Sequence, residues 1–228
     1  LGGNSVLYDK IIKGRSIKKD YKEMALTGYV KHKLRTVKTS QFFLKEGPLA
    51  ILPFSKNYFS FVWSINKDFY ENNSKKINNL AKSKIKNILK IKHNIQITNT
   101  QSYPLKLNLK TKYFNKNLLI LGEGLHTIHP IAGQGFNLVL RDIKKLQEIL
   151  KYYSQLGISF KNSFALDDFY AQRKAENIVF GLGVDATHAF FKQNKYLDPF
   201  KEMILKNISK NNVVKKISKI ISNQGLSI

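Results

Sequence analysis

The period of the apolar positions changes several times along this chain, and each change marks a different kind of element. Residues 20–64 read as short β-like stretches rich in Tyr, Phe, Val and Thr, bounded by Gly and Pro. Residues 66–74 are polar and predict a loop. Across 75–92, Ile77, Ala81, Ile85 and Ile88 share one helical face and most lysines lie off it, which predicts an amphipathic helix. Alternation returns over 95–105, with Pro104 near the predicted strand's end. A short apolar run at 118–121, opened by Asn117, predicts a buried strand. From Gln134 the spacing is helical, through Phe136, Leu138, Val139, Leu140, Ile143, Leu146, Ile149 and Leu150. Helices are predicted at about 134–153 and about 165–191, with two amphipathic pieces within roughly 198–222. The predicted breaks are 157–163 and Asn211-Asn212. The pattern is that of an α+β chain: a sheet-rich first part, then a strand, a turn and a helical tail.

The turn before the first long helix carries the chemistry. The apolar run stops at Gly122-Glu123-Gly124, and the chain continues through His126, His129, Pro130, Gly133 and Gly135 into the helix. A Gly-rich turn feeding a helix N-terminus presents backbone N–H groups, and the helix dipole adds partial positive charge. Such a place suits a phosphate or the electron-rich carbonyl edge of a ring. Glu123, just past the apolar run, is placed to accept hydrogen bonds from a sugar or polyol hydroxyl.

Three pieces of this run fall in a recognisable order: Gly122-Glu123-Gly124-Leu125-His126, then Pro130-Ile131-Ala132-Gly133-Gln134-Gly135-Phe136-Asn137, then Leu140-Arg141-Asp142. Together they resemble the second flavin-binding motif of the FAD-dependent aromatic hydroxylases. The resemblance is strongest to the ubiquinone-biosynthesis branch of these para-hydroxybenzoate-hydroxylase-like monooxygenases. The family's usual form is Gly-Asp-Ala-Ala-His, then Pro-x-x-Gly-Gln-Gly-x-Asn, then Leu-Arg-Asp, so Glu123 replaces an Asp. The resemblance implies that Gly122, Glu123, His126, Pro130, Gly133, Gln134, Gly135, Phe136 and Asn137 bind FAD. Glu123 would hold the ribityl or pyrophosphate region. Residues 130–137 would wrap the isoalloxazine ring, with the N–H groups of 133–135 on its pyrimidine edge.

The same resemblance implies NAD(P)H and O₂ as co-substrates and hydroxylation of an aromatic ring, above all a polyprenylated phenol of ubiquinone biosynthesis. Gln41-Phe42-Phe43, residues 47–53 and residues 61–64 look like the family's substrate-domain strands, as does Tyr21 ahead of residues 25–30. Tyr170, Arg173, Asn177, Asp185 and Phe191 follow the order of its helical tail. The implied architecture is α/β. A mixed-sheet substrate-binding domain spans 1–110. Residues 111–228 form the second half of a Rossmann-like FAD-binding domain with a helical C-terminal tail.

The family's first signature, a Gly-x-Gly-x-x-Gly turn, does not occur in these 228 residues. Leu1-Gly2-Gly3-Asn4-Ser5 looks like the tail of the middle motif, Asp-Gly-x-Asn-Ser-x-x-Arg, with Leu1 and Tyr8 in place of its Asp and Arg. The expectation is a fragment of a longer enzyme. The alternative is a catalytically silent relative that assembles with other quinone-biosynthesis proteins. No residue singles itself out as a general base.

Composition narrows the field further. The net charge of +24 raises a nucleic-acid class, yet of 39 basic residues only Arg15, Arg35, Arg141 and Arg173 are Arg and the rest are Lys. Base and phosphate recognition favours the planar Arg fork, so no specific nucleic-acid partner is expected, only salt-sensitive adventitious binding. The absence of Cys excludes disulfides, thiolate metal sites and a Cys nucleophile. His126 and His129 form H-x-x-H, but Pro130 and the glycines break the helix that would align them, and only Glu123 sits near as a third ligand, so no metal is expected. Ser5 and Ser64 lack a nucleophile elbow, and Asp167-Asp168 reads as charge at a helix N-terminus. Tyr29, Phe61 and Trp63 read as core, with cavity lining the alternative. No apolar run approaches the roughly 18–20 residues that span a bilayer. The expectation is a cytoplasmic protein, soluble or in peripheral contact with the inner membrane.

Overall fold

A computed structural model describes residues 6–130, 133–159 and 163–191. Residues 1–5, Ile131-Ala132, the amphipathic pieces within 198–222 and the break at Asn211-Asn212 lie outside the described residues. In chain order the elements are α1 (Leu7–Ile11), β1 (Ser16–Lys31), β2 (Ser40–Leu44), β3 (Gly47–Ser55), β4 (Tyr58–Asn66), α2 (Lys67–Asn72) and α3 (Ile77–Ile88). They continue with β5 (Gln96–Lys110), β6 (Phe114–Asn115), β7 (Leu118–Leu119), β8 (His126–Thr127), α4 (Gln134–Gln155) and α5 (Phe164–Phe191). The chain divides into two compact units, Asp20–Leu105 and Leu1–Lys19 with Lys106–Ile228. Residues 1–19 thus group with the later part of the chain, whereas the division at 110/111 read from the sequence groups them with the sheet.

In the unit Asp20–Leu105, β4 lies between β3 and β1, and β3 pairs on its other side with β2. The pairing is antiparallel and sets Leu26 opposite Trp63 and Ile51 opposite Phe61. Side chains alternate across such a sheet, so Leu26, Val30, Ile51, Phe59, Phe61, Trp63 and Ile65 gather on one face. That face buries against Ile77, Ala81 and Ile85 of α3, the stripe expected from the helical spacing. Phe61 and Trp63 are accordingly core residues at 0% exposure. Tyr29 alternates to the open face, where it helps Thr27, Ser60, Val62 and Gln101 line a groove of about 540 Å³.

Two expectations for this unit are corrected. Residues 66–74 are not a loop: α2 forms there because the Asn66 side chain accepts hydrogen bonds from the N–H groups of Asp68 at 2.8 Å and Phe69 at 3.3 Å. Phe69 then packs edge-on to Trp63 with ring centroids 6.3 Å apart. The strand predicted over 95–105 runs on through Pro104 to Lys110. Only Asn108 and Leu109 of β5 pair with β8, and Pro104 precedes them, so no bond to β8 calls on its missing N–H.

The second unit has its own core of Tyr8, Ile12, Tyr113, Ile120, Leu125, Ile149, Ala165 and Phe169. Tyr8 anchors the N-terminal stretch: its hydroxyl donates to the Lys112 carbonyl at 2.8 Å, and the buried Lys110 ammonium lies 3.9 Å from its ring centroid. The buried strand predicted at 117–121 shrinks to Leu118–Leu119. A turn through Lys116, at φ 50°, folds it onto Phe114–Asn115, leaving Leu118 at 46% exposure while Ile120 takes the buried place. The helices α4 and α5 follow the predicted spans closely. Ser163 leads into α5, and its hydroxyl donates to the Asp167 carboxylate at 2.7 Å. Among the described residues no helix is long and apolar enough to cross a membrane.

Candidate cofactor site

The site is built on the turn that enters α4. Gly122, at φ 74°, opens a single 3₁₀ turn through Gly124, and this turn sets Glu123 on the surface. Two-residue β8 follows, and half-buried Pro130 then turns the chain toward Gly133. Gly133 is the N-cap of α4 in the left-handed conformation, φ 62°, where a side chain is strained and Gly is not. A Cβ built there meets nothing within 4 Å, so the space over the turn is open.

The first turn of any helix has N–H groups without intrahelical partners. In α4 the N-cap is Gly133, which has no side chain to cap them, and no acidic residue occupies the first turn. The local field is therefore positive. Gln134, Gly135 and Asn137 are half-buried, and Asn137 donates to the Gln134 side-chain carbonyl at 3.3 Å. Phe136 is 70% exposed and offers an apolar wall. Side-chain-free backbone, a positive helix end and a flat apolar neighbour together suit a planar ring with an electron-rich edge. The residues present fit FAD.

His126 is placed differently from the others. Its side chain is 2% exposed, and Nε2 lies 2.6 Å from Asp142 Oδ2. An ionised carboxylate can only accept, so the imidazole donates here. Asp142, 0% exposed, also accepts from Arg173 Nε at 2.7 Å and from Asn177 Nδ2 at 3.1 Å. Arg173 further donates to Asn177 Oδ1 at 2.9 Å and to Glu176, and Asn177 Nδ2 donates to the Tyr113 hydroxyl at 3.1 Å. Burial alone would raise the Asp142 carboxyl, but the hydrogen bond from His126 and the Arg173 guanidinium hold it below the ordinary carboxylate range. Burial likewise pushes the Tyr113 phenol up. His129 is also interior and stacks on His188 with ring centroids 4.2 Å apart.

The depressed Asp142 value has a consequence for acid stability. Its contribution is present above the unfolded-state value, about 3.9, and is lost as pH falls through the lower folded-state value. Thermal midpoints of the parent protein and Asp142→Asn are expected to differ most above about pH 5 and to converge as pH falls below the unfolded-state value. A constant difference across that range would contradict the assignment.

The reading from sequence found the turn and missed this network. A signal for part of it existed: Asp142 closes Leu140-Arg141-Asp142, and Arg173 and Asn177 are four apart on one helical face. Tyr113 gave none.

Comparison with known proteins bears on the same stretch. The family described as FAD binding domain matches residues 9–155, from α1 through α4. The chain belongs to this FAD binding domain family. The mitochondrial ubiquinone biosynthesis monooxygenase COQ6 of Dictyostelium discoideum is 25% identical over 205 residues, covering 74% of this chain and 41% of that protein. The 3-demethoxyubiquinol 3-hydroxylase of Escherichia coli is 28% identical over 173 residues, covering 72% of this chain and 42% of that protein. The chain thus spans about two fifths of these FAD binding domain relatives. Among solved structures, p-nitrophenol 4-monooxygenase from Pseudomonas putida aligns over 100% of this chain and 58% of that one, with a TM-score of 0.77 and 14% identity. HpxO from Klebsiella pneumoniae, solved with FAD, aligns over 97% of this chain and 58% of that one, with a TM-score of 0.67 and 12% identity. At those identities the likeness establishes the fold: the α+β arrangement of the FAD-dependent monooxygenases.

Proposed function

We propose that this chain carries the isoalloxazine-contacting turn and the substrate sheet of an FAD-dependent aromatic hydroxylase. Its substrate is a polyprenylated phenol of ubiquinone biosynthesis, and NAD(P)H and O₂ are its co-substrates. The observation that carries the reading is the glycine-led, acid-free N-terminus of α4 at Gly133, lying within the stretch that matches the family. Both relatives described above are named for ubiquinone biosynthesis or a ubiquinol ring, which supports the substrate class. FAD, reduced by NAD(P)H, supplies the oxygen-transfer chemistry.

The protein's part is binding and orientation. The N–H groups at 133–135, with the α4 dipole, stabilise negative charge on the ring edge in the manner of an oxyanion hole. Glu123 accepts from the cofactor's polyol, and Phe136 shields one side of the ring from water. The open-face groove, with Tyr29 and Val62 beside Thr27, Ser60 and Gln101, has the size and mixed lining of a small-molecule pocket and takes the phenol. Residues 20–105 serve as the substrate-binding part and the later unit as the flavin-binding part. Peripheral membrane contact and other quinone-biosynthesis proteins as partners follow from a greasy substrate and belong to the same proposal.

One observation favours a second reading, a catalytically silent relative that serves assembly. Tyr8, at the position of the family's Arg, is 1% exposed and spends its hydroxyl on Lys112. The experiment uses a form of the protein that also carries a Gly-x-Gly-x-x-Gly dinucleotide-binding segment, in the same chain or supplied separately. Glu123→Ala in that form is expected to weaken FAD binding about tenfold, ~1.4 kcal/mol, with the fold unchanged. FAD affinity equal to the parent's would contradict the Glu123 role. Tight FAD binding without substrate-stimulated NAD(P)H oxidation would favour the silent relative.

A further inference from the structure

The residues that contact the flavin ring in the reading above lie on a segment whose two ends are tied together from behind. His126 sits at its start and Asp142 two turns into α4, and their 2.6 Å hydrogen bond spans sixteen positions of sequence. Pro130, Gly133, Gln134, Gly135, Phe136 and Asn137 all lie between them. The same carboxylate is held on its other side by α5, through Arg173 at 2.7 Å and Asn177 at 3.1 Å. Every member of this set is buried: Asp142 at 0%, Asn177 at 1%, and His126 and Arg173 at 2%. None can reach a ligand lying on the surface of the turn, so none is a contact residue.

Resting on the proposed function, we propose that Asp142 is the positioning residue of the cofactor turn, clamping β8 to the start of α4 through His126 and bracing both against α5 through Arg173 and Asn177. A buried hydrogen bond at the base of a loop removes the loop's hinge freedom without occupying its face. Truncating one partner leaves the others desolvated and unpaired, so the clamp opens as a unit. The turn then samples conformations in which the N–H groups of 133–135 no longer converge, and each contact to the ring is diluted by the fraction of time spent there.

The test pairs two substitutions with two readouts. Asp142→Asn keeps the side chain's size and removes its charge. His126→Phe keeps a ring of similar size, leaves the Asp142–Arg173 pair intact and removes the donor that ties across the turn. Without FAD, amide hydrogen exchange at residues 133–137 is expected to quicken at least about tenfold in both variants, while α3 amides exchange as in the parent. In the form that carries the dinucleotide-binding segment, FAD affinity is expected to fall about tenfold, as outer partners of bound groups typically do. Quickened exchange with no FAD binding even by the parent would leave the clamp standing and overturn the proposed function instead. If Asp142→Asn does not fold, His126→Phe decides. Parent-like exchange at 133–137 in His126→Phe, or a loss of protection spread evenly over the unit, overturns the proposal.

Discussion

Gly135→Val is expected to abolish FAD binding while leaving the protein folded. The structure makes this a clean experiment. A Cβ at Gly135 meets only Ile128 Cγ1, at 3.8 Å, which is ordinary van der Waals contact. The position lies inside the first turn of α4 with no left-handed φ, where Gly is already the poorest helix former short of Pro. The protein therefore accommodates a Cβ here, and the thermal midpoint should move by no more than a few degrees. The two methyl groups of Val instead occupy the space that the ring needs to approach the backbone. The expected loss of FAD affinity is about a hundredfold or more, ~2.7 kcal/mol, measured by flavin fluorescence titration in the form with the dinucleotide-binding segment. Parent-like affinity in the folded variant would mean that the ring does not approach this turn.

The second large effect falls on the sheet. Gly47 follows the turn between β2 and β3 at φ 132°, a conformation that L side chains rarely adopt. A Cβ built on it would lie 1.9 Å from the Ser64 carbonyl oxygen, which is backbone and cannot rotate aside. Gly47→Ala must therefore push β3 and β4 apart beside the register that sets Leu49 opposite Trp63. Strain and lost packing together are expected to cost about 3 kcal/mol, lowering the thermal midpoint by roughly 10 °C for a protein of this size. A midpoint within about 2 °C of the parent's would show that the hairpin is not packed as described.

How far the fold was legible depended on whether its cause was periodic or local. The helices α3, α4 and α5 were readable because an apolar face at helical spacing is written directly in the chain, as in Ile77, Ala81 and Ile85. The cofactor turn was readable because its chemistry needs particular residues in sequence, Gly133 and Gly135 among them. The helix α2 was not, because six polar and aromatic residues became helical through one side-chain cap from Asn66. The extent of β5 was hidden by Pro104, which the pattern treats as a stop although the bonds to β8 begin only at Asn108. The 117–121 run showed an apolar strand, but its pairing was settled by the tight turn at Lys116-Asn117, where Lys116 takes a left-handed φ that its residue type does not announce. The Asp142 network was least legible, since Tyr113, His126, Asp142 and Asn177 meet only after three elements have packed. His126 read as a flavin-loop histidine, Asp142 as the close of Leu140-Arg141-Asp142 and Asn177 as a position of the helical tail, while Tyr113 gave no signal. The open-face groove was legible only in part: Tyr29 was a candidate, while Thr27, Ser60 and Gln101 were not.

The central claim is that the turn into α4 contacts flavin, and hydrogen exchange with and without FAD tests it directly. The 228-residue chain carries no Gly-x-Gly-x-x-Gly segment, so it is expected to bind FAD weakly and to lose it on gel filtration. At millimolar FAD, amides of Gly122–Gly124 and of residues 133–137 should nevertheless slow, while those of α3 and of β2 to β4 that do not border the groove stay as they are. Protection at the turn is the result this account predicts. Unchanged exchange there at saturating FAD, or protection confined to the sheet unit, would contradict it.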